Sequence, residues 1–290
     1  SYLGILFMPL ILINICFILF WMSMLKWHFL ISLISIVLLT GTIKKSFSLV
    51  KSDSKELYKG KSIKVLTYNV MLFNYYKKNS KIMDYIENNE ADIICLQEFG
   101  WHKKGNEFLL KKDILSHLKK YPYYHINIAL DGDLATYGIA TFSKYPIIKK
   151  KKIEYVTAFN SSIYSDIKIG DDTIRVFNNH LESNRLTEKD KVNLIEDTDS
   201  NIISKTADKL GVATSKRAKQ AEAVSESIKQ SPYKVIVCGD FNDIPVSYAY
   251  NKISNGLNDT FVESGSGLGI TFHDRLYRFR IDYISFILTT

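Results

Sequence analysis

The stretch Val235-Ile236-Val237-Cys238-Gly239-Asp240-Phe241-Asn242-Asp243 decides the fold. Its opening residues are apolar and mostly β-branched, which reads as a strand buried on both faces. Gly239 lets the backbone turn without a Cβ in the way. Asp240 and Asn242 sit two apart, so on extended backbone they share a side. Ends of buried strands are where α/β folds place ligands. A carboxylate and an amide at such an end can take a proton and hold an oxyanion or a metal. Taken alone, an ordinary strand-to-turn junction describes the stretch equally well, since Gly, Asp and Asn are common turn formers.

Working outward, the same shape recurs. Residues 63–68 alternate and end at Asn69-Val70. Ala91-Asp92-Ile93-Ile94-Cys95-Leu96 is a second buried strand that runs into Gln97-Glu98. A carboxylate after such a run is costly to bury unless it is paired or bound to a cation. Glu98 is therefore a hard-metal ligand or an exposed residue just past the strand end. Residues 163–169 and 173–177 form a hairpin about Gly170-Asp171-Asp172, whose second strand runs into Asn178-Asn179-His180-Leu181. Another strand starts at Tyr137 and turns before Ile147. Late strands are expected at Thr271-Phe272 and over 279–284. Helical spacing is present in 80–89 and 107–118. It is clearest in 215–229, where Ala218, Ala221, Val224 and Ile228 share a face. Residues 182–216 read as a polar connection holding at most one short helix. This order predicts a mixed α/β sandwich, not a regular Rossmann alternation.

The composition is uneven. Of the 290 residues, 46% are hydrophobic, and the first forty-odd are almost wholly so. Tyr2 to Met22 carries no charge, and Leu25 to Ile43 is interrupted only by Lys26 and His28 near its start. Each run is about 20 residues, which as helix spans roughly the 30 Å of a hydrocarbon core. Trp21 and Trp27 flank the short link, where aromatic belts sit. The expectation is two transmembrane helices over 1–43, a polar Lys-rich linker over 44–61, and one soluble domain over 62–290. Net charge is +8. That suits anionic partners or an acidic lipid surface, and a lysine-rich composition without functional meaning gives the same figure. Cys16, Cys95 and Cys238 have no metal-like spacing and give neither a disulfide framework nor a zinc site.

Polar groups recur at strand ends: Asn69, Glu98, His180, Asp240 with Asn242, and Asp282. Together they suit phosphoryl chemistry. A carboxylate and an amide hold Mg²⁺ with several waters still bound. An imidazole neutralises or protonates a phosphate oxygen, and an aspartate activates water for in-line attack.

In Thr67-Tyr68-Asn69-Val70, Leu96-Gln97-Glu98, Asn178-Asn179-His180-Leu181, Gly239-Asp240-Phe241-Asn242 and Arg280-Ile281-Asp282-Tyr283, taken in order, the chain resembles the endonuclease/exonuclease/phosphatase superfamily. The resemblance covers about Ile63 to Tyr283. It implies a four-layer α/β sandwich, two packed mixed sheets flanked by helices, with the site at one mouth. It implies a Mg²⁺-dependent phosphoester hydrolase, whether nuclease, phosphodiesterase or phosphatase, with Mn²⁺ as the alternative metal. Asn69 and Glu98 would hold the metal. His180 would bind the scissile phosphate, Asp240 would orient or deprotonate the water, and Asn242 would assist at the phosphate. Asp282 would orient a partner histidine. The substrate would be a nucleic acid, a phospholipid or a phosphorylated small molecule, and the N-terminal helices would add the membrane as partner.

Members usually close with Ser-Asp-His-Xaa-Pro after the Arg-Ile-Asp-Tyr strand, whereas here Ser285-Phe286-Ile287-Leu288-Thr289-Thr290 follows. The expectation is therefore a domain lacking its last strand or strands and leaving a raw sheet edge. The chain would be a fragment, a truncated gene product or a non-catalytic descendant, and the non-methionine start favours the fragment. A degenerate domain that only binds a phosphorylated ligand or a partner is the alternative function. The chain also resembles membrane-anchored bacterial members, which places it in the plasma membrane. Lys44, Lys45, Lys51, Lys55, Lys59, Lys61 and Lys64 argue for a cytoplasmic domain; the resemblance argues for an outward one, which is the side expected.

Overall fold

A computed structural model describes residues 4, 6–49, 62–77, 81–105, 107–157, 159–184, 187, 200–274 and 278–287. The apolar N-terminus forms α1 (Phe7–Ser23), α2 (Phe29–Leu38) and α3 (Thr40–Ser46), and α1 packs against α2. The expected pair of full spans needs correction. Helix α1 has 17 residues and α2 has 10, about 25 and 15 Å at the helical rise. Among the described residues no single helix is long and apolar enough to cross a membrane; α2 and α3 pass together but are bent by 65°. The bend has a local cause. The Thr40 hydroxyl donates to the Ile36 and Val37 carbonyls, competing with the backbone for helix acceptors at the break. Leu12, Leu19, Ile31 and Val37 are each more than half exposed, so these helices do not bury their apolar surface within the chain. Part of the expected linker is α3, and residues 50–61 lie outside the described residues.

The domain opens with β1 (Val65–Asn69). Residues 71–76 then wind left-handed, with φ between 47° and 64°. This costs about 1–2 kcal/mol per residue for L-amino acids, offset in part by complete burial of Phe73 against Phe99. The chain continues through α4 (Lys81–Asn88), β2 (Ile93–Phe99), α5 (Lys111–His117), β3 (Tyr123–Asp131) and β4 (Thr136–Ser143). These strands form one sheet in the order β1-β2-β4-β3, with β1 and β2 parallel.

A second sheet holds β5 (Ile147–Ile153), β6 (Ser161–Ile169), β7 (Asp172–His180), β8 (Lys234–Asp240), β9 (Asn258–Asp259) and β12 (Asp282–Phe286). Its order is β5-β6-β7-β8-β12-β9, with β7 and β8 parallel. Helices α6 (Ser200–Lys229), α7 (Tyr248–Ile253) and α8 (Thr260–Ser264) and the hairpin of β10 (Phe272–His273) with β11 (Arg278–Phe279) complete the chain. The edge expected to be raw is partly covered, because β9 pairs with Ser285 and Phe286 on the outer side of β12.

The layers follow from alternation along each strand. Leu66, Tyr68, Ile94 and Leu96 point away from the second sheet, into a core with Met83, Ile86 and Ile114 of the helices. Phe177, Val235, Val237 and Tyr283 do the same on the other side, against Ala221, Val224 and Ile228 of α6. Between the sheets lie Ile93, Cys95, Ile167, Ile174, Val176 and Cys238. The result is the expected four-layer arrangement of two packed mixed sheets with helices outside.

Helix α6 begins at Ser200, not Ser215; among the described side chains of its first half, Thr206 and Ala213 are buried. Strands β3 and β5 add two elements that the alternation did not indicate.

On β3, His125 is buried between the sheets with its Nδ1 3.0 Å from Ser165 Oγ. Burial, with Lys150 adding, lowers its pKa from 6.5 to about 4. The fold thus holds the neutral ring, while the unfolded chain protonates near 6.5. Stability should be complete above that pH and fall as pH drops toward 4, by up to about 3 kcal/mol. Urea midpoints measured between pH 7 and 4 should show the decline, and His125→Gln should remove that part of the slope.

Candidate functional site

The layer between the sheets changes character along its length. At one end it is apolar, with Val65, Ile93, Ile174 and Ile236 facing inward. Two residues further along each strand come Thr67, Cys95, Val176 and Cys238. Further still come Asn69, Gln97, Asn178 and His180, and Asp240. Gln97 Nε2 donates to Asn178 Oδ1 at 2.6 Å, and Asn178 Nδ2 donates to the Ala140 carbonyl at 2.9 Å. A polar layer buried this completely is tolerated because each amide nitrogen finds an acceptor, while Gln97 Oε1 has no partner among the described residues. It carries the two sheets into a polar mouth.

Register then fixes the cluster. His180 pairs with Asp240 across β7 and β8, and Asp240 pairs with Asp282 across β8 and β12. Three side chains on adjacent strands at one level must share a face. Gly239, just below, has φ +132°, and a Cβ there would lie 2.0 Å from the Asn179 carbonyl oxygen. Only glycine lets β8 approach β7 this closely.

Glu98 arrives by a different device. Simple alternation would turn it away from Gln97's side. It has φ +48° and sits in the register shift between Leu96 and Phe99. Such a bulge re-aims a side chain. Glu98 Oε1 thereby accepts from Asn69 Nδ2 at 3.0 Å, and Asp240 Oδ2 accepts from the same amide at 3.0 Å. Asn69 Oδ1 in turn accepts from the Met71 amide at 3.1 Å, which fixes the sense of the carboxamide. Asn69, expected beside the metal, here clamps the two carboxylates.

His180 is buried, with its Nε2 3.9 Å from Glu98 Oε1 and its Nδ1 3.4 Å from Tyr137 Oη. Burial lowers its pKa, against the pull of Glu98 and Glu182, which favours the neutral ring. Asp240 Oδ1 accepts from the Asn242 amide at 2.8 Å. Burial raises the Asp240 pKa despite the donors Asn69 and Asn242. The Asp282 pKa is also raised, by burial first and then by Asp240, with Thr271 working against it. Its Oδ1 has no hydrogen-bond partner among the described residues. Asn242, at φ +51°, gives its side-chain amide to the Leu181 carbonyl at 2.9 Å, so it braces the turn.

Glu98, Asp240 and Asp282 thus crowd negative charge into one mouth. A hard divalent cation would relieve that crowding. Among the described residues there is no group of three or more His, Cys, Asp or Glu poised as a metal cage. The donors present, one partly exposed carboxylate beside a carboxamide, fit an ion that keeps most of its waters, as Mg²⁺ does. Glu98 is the residue that would hold it. Asn69 would join through its oxygen only by giving up Met71.

Two residues escaped the sequence reading. Tyr137 carried no signal. Arg217 did, being a charge on the apolar stripe of Ala221, Val224 and Ile228. Its guanidinium donates to Asp243 Oδ2, the Glu182 carbonyl and Asn184 Oδ1 at 2.8–3.0 Å, so it ties together the segments that follow His180 and Asp240.

A sequence profile described as the Endonuclease/Exonuclease/phosphatase family matches residues 66–284. No curated protein matches the chain. Among solved structures, an endonuclease/exonuclease/phosphatase family protein from Leptotrichia buccalis aligns with a TM-score of 0.51 at 18% identity, over 78% of this chain and 88% of that one. A humanized D. rerio TDP2 bearing 14 mutations gives 0.53 at 16% identity, over 77% and 82%. D. rerio TDP2 complexed with a single-strand DNA product gives 0.50 at 17%, over 77% and 83%. At such identities these likenesses speak for the fold alone.

Arg217→Met should strand the Asp243 carboxylate and the Glu182 carbonyl in a buried setting. The expected loss is about 3 kcal/mol or more in chemical denaturation, with the double variant Arg217→Met/Asp243→Leu recovering part of it. An unchanged midpoint in Arg217→Met would show that the network carries no stability.

Proposed function

Because this chain belongs to the endonuclease/exonuclease/phosphatase family, we propose that it is a Mg²⁺-dependent phosphoester hydrolase held at a membrane by its N-terminal helices. The observation that carries the reading is the His180–Asp240–Asp282 register, joined through Asn69 to Glu98 of the other sheet.

Each residue has a task that follows from its surroundings. Asp240, with its pKa raised by burial, is a better base than an exposed aspartate and would take the proton of the attacking water. Asn69 and the Asn242 amide fix its two oxygens. His180 Nε2, buried and without a hydrogen-bond partner among the described residues, would donate to a phosphate oxygen, with Tyr137 at its other nitrogen. Asp282, beside Asp240, would hold a donor or stay protonated and donate itself. A divalent ion at Glu98 would supply charge for the phosphorane-like oxygens.

The exposed apolar faces of α1 and α2 support the membrane reading, since water solvates them poorly. A bent or re-entrant hairpin fits their lengths better than two full spans. A bacterial plasma membrane with the domain facing outward is the proposed location. Nucleic acid, the ligand of the D. rerio complex, fits less well. The longest lysine run, Lys149 to Lys152, lies on edge strand β5, three strands from Asp240, where it protects an edge and tracks no groove at the mouth. A non-catalytic binding role draws on one observation, the Asp282 oxygen that has no partner among the described residues.

The full chain in detergent should hydrolyse bis(p-nitrophenyl) phosphate only with Mg²⁺ or Mn²⁺. Glu98→Gln and Asp240→Asn should each reduce turnover at least about a hundredfold. Electron paramagnetic resonance should show weakened Mn²⁺ binding in Glu98→Gln, a readout independent of turnover. No hydrolysis together with Mn²⁺ binding indifferent to Glu98→Gln would defeat the proposal.

A further inference from the structure

A cavity of about 410 Å³ lies between the start of α1 and the domain. One wall is Phe7, Met8 and Pro9 of the apolar helix. The other is residues 244–246, with Leu268 and Ile270 below and Arg278 and Arg280 alongside. The volume is well above the roughly 150 Å³ that accommodates a benzene ring and falls in the range of ligand sites. It is not explained by the cluster at the mouth, yet it shares that cluster's loop. Residues 244–246 continue directly from Asp240, Asn242 and Asp243, and Arg280 stands two residues before Asp282.

The joint is clamped. Arg280 Nη2 donates to the Lys45 carbonyl at 2.7 Å while Nη1 pairs with Asp259 at 2.8 Å. Ser48 and Gly267 exchange backbone hydrogen bonds at 2.9 and 2.7 Å. The apolar hairpin is thereby fixed against the wall of the cavity.

We propose that this cavity holds a hydrocarbon chain of a lipid phosphoester, and that such a lipid is the substrate. The proposal rests on the hydrolase reading for the second part. The occupant follows from what surrounds the cavity. Its α1 wall is continuous with helical faces whose exposed leucines and isoleucines only hydrocarbon would solvate, so acyl chains are the apolar ligand at hand. The Arg278 side chain is exposed at the rim, with no ion pair or hydrogen bond among the described residues. It complements the charge of a phosphoester. A lipid chain seated here would deliver its phosphate along the 241–246 loop toward His180 and Asp240. Water's oxygen bonds to phosphorus, the leaving alkoxide takes a proton, and the chain stays on whichever product retains it.

Two esters test this on the full chain in one detergent: p-nitrophenyl methyl phosphate and p-nitrophenyl hexadecyl phosphate. They share the scissile bond and the nitrophenolate leaving group and differ only in chain length. The hexadecyl ester should show kcat/KM at least about tenfold above the methyl ester, a modest part of what burying many methylenes can supply. Val246→Trp and Leu268→Trp fill the cavity and should each remove most of that gain, leaving the methyl ester within about twofold. Leu268 lies half-exposed between Gly267 and Gly269, so its variant guards against a folding defect. A gain retained in both variants would come from micelle partitioning and overturn the proposal, as would no gain at all. Hexadecyl phosphate with a terminal diazirine supplies a readout without turnover. Label on residues 244–246 or 268–270 supports the site, and label confined to the outer faces of α1 and α2 overturns it. Cavity labelling with neither ester cleaved would keep the lipid site and sink the hydrolase reading.

Discussion

One side chain joins the halves of this molecule where it matters. The Asn69 amide, at the end of a strand in one sheet, donates at once to Glu98 of its own sheet and to Asp240 of the other. Around it the inter-sheet layer passes from Ile93 and Ile174 to Gln97, Asn178 and His180. A core gains most from being apolar throughout. Here part of that layer is given to amides that are stabilised through hydrogen bonds to one another and to nearby carbonyls. The sacrifice makes sense if the sheets must present polar groups at fixed positions. Strand pairing supplies that fixity better than loops do, because a slip of one residue would turn His180, Asp240 and Asp282 to the opposite face.

The electrostatics point the same way. Asp240 and Asp282 sit at one register level, both with pKa values raised by burial, with Glu98 close to the first. Arg217 is the cation whose pull reaches Asp240, and its hydrogen bonds go to the bracing segments. A fold selected for stability alone would not concentrate carboxyls so. An array of this kind is most stable with a cation in it and can then receive an anion such as a phosphate. His180, whose pKa burial lowers against its acidic neighbours, can in its neutral form donate one proton without adding a positive charge.

Much of this was legible in the chain. Buried strands ending in Asn69, His180 and Asp240 could be read because the apolar runs are unbroken and the polar residues follow at once. Register among them could not, since it depends on pairing between residues forty or more positions apart. Glu98's approach was illegible, because a bulge that reverses alternation leaves no trace in residue type. The first half of α6 was missed for a related reason. Its apolar positions, Ile203, Ala207, Leu210 and Ala213, are small or widely set among charged residues and Gly211, so the period that marks a helix is faint. In the N-terminus, hydropathy correctly identified the apolar segments but overestimated their helical lengths. The break at Leu39–Thr40 arises from a hydroxyl taking carbonyls, which an apolar count does not register.

Attachment of the hairpin gives the fold a direction. A domain on a loose tether samples every orientation to the surface beneath it. Here α3 leads into Ser48, which is paired with Gly267, while Lys45 is held through Arg280 to Asp259 and Tyr250. Asp259 also caps α8 and belongs to β9, the strand covering the edge of β12. The chain leaving the apolar helices is therefore bolted to the strand that bears Asp282. The loops at 244–246 and 268–270 line one cavity with the start of α1, and the first of them continues directly from Asp240 and Asn242. Proximity of this kind lowers the entropy lost when a lipid-borne group meets the site. It also makes the apolar segment a structural part of the domain: removing it would expose Leu268 and Ile270 and release Arg280 from one of its partners.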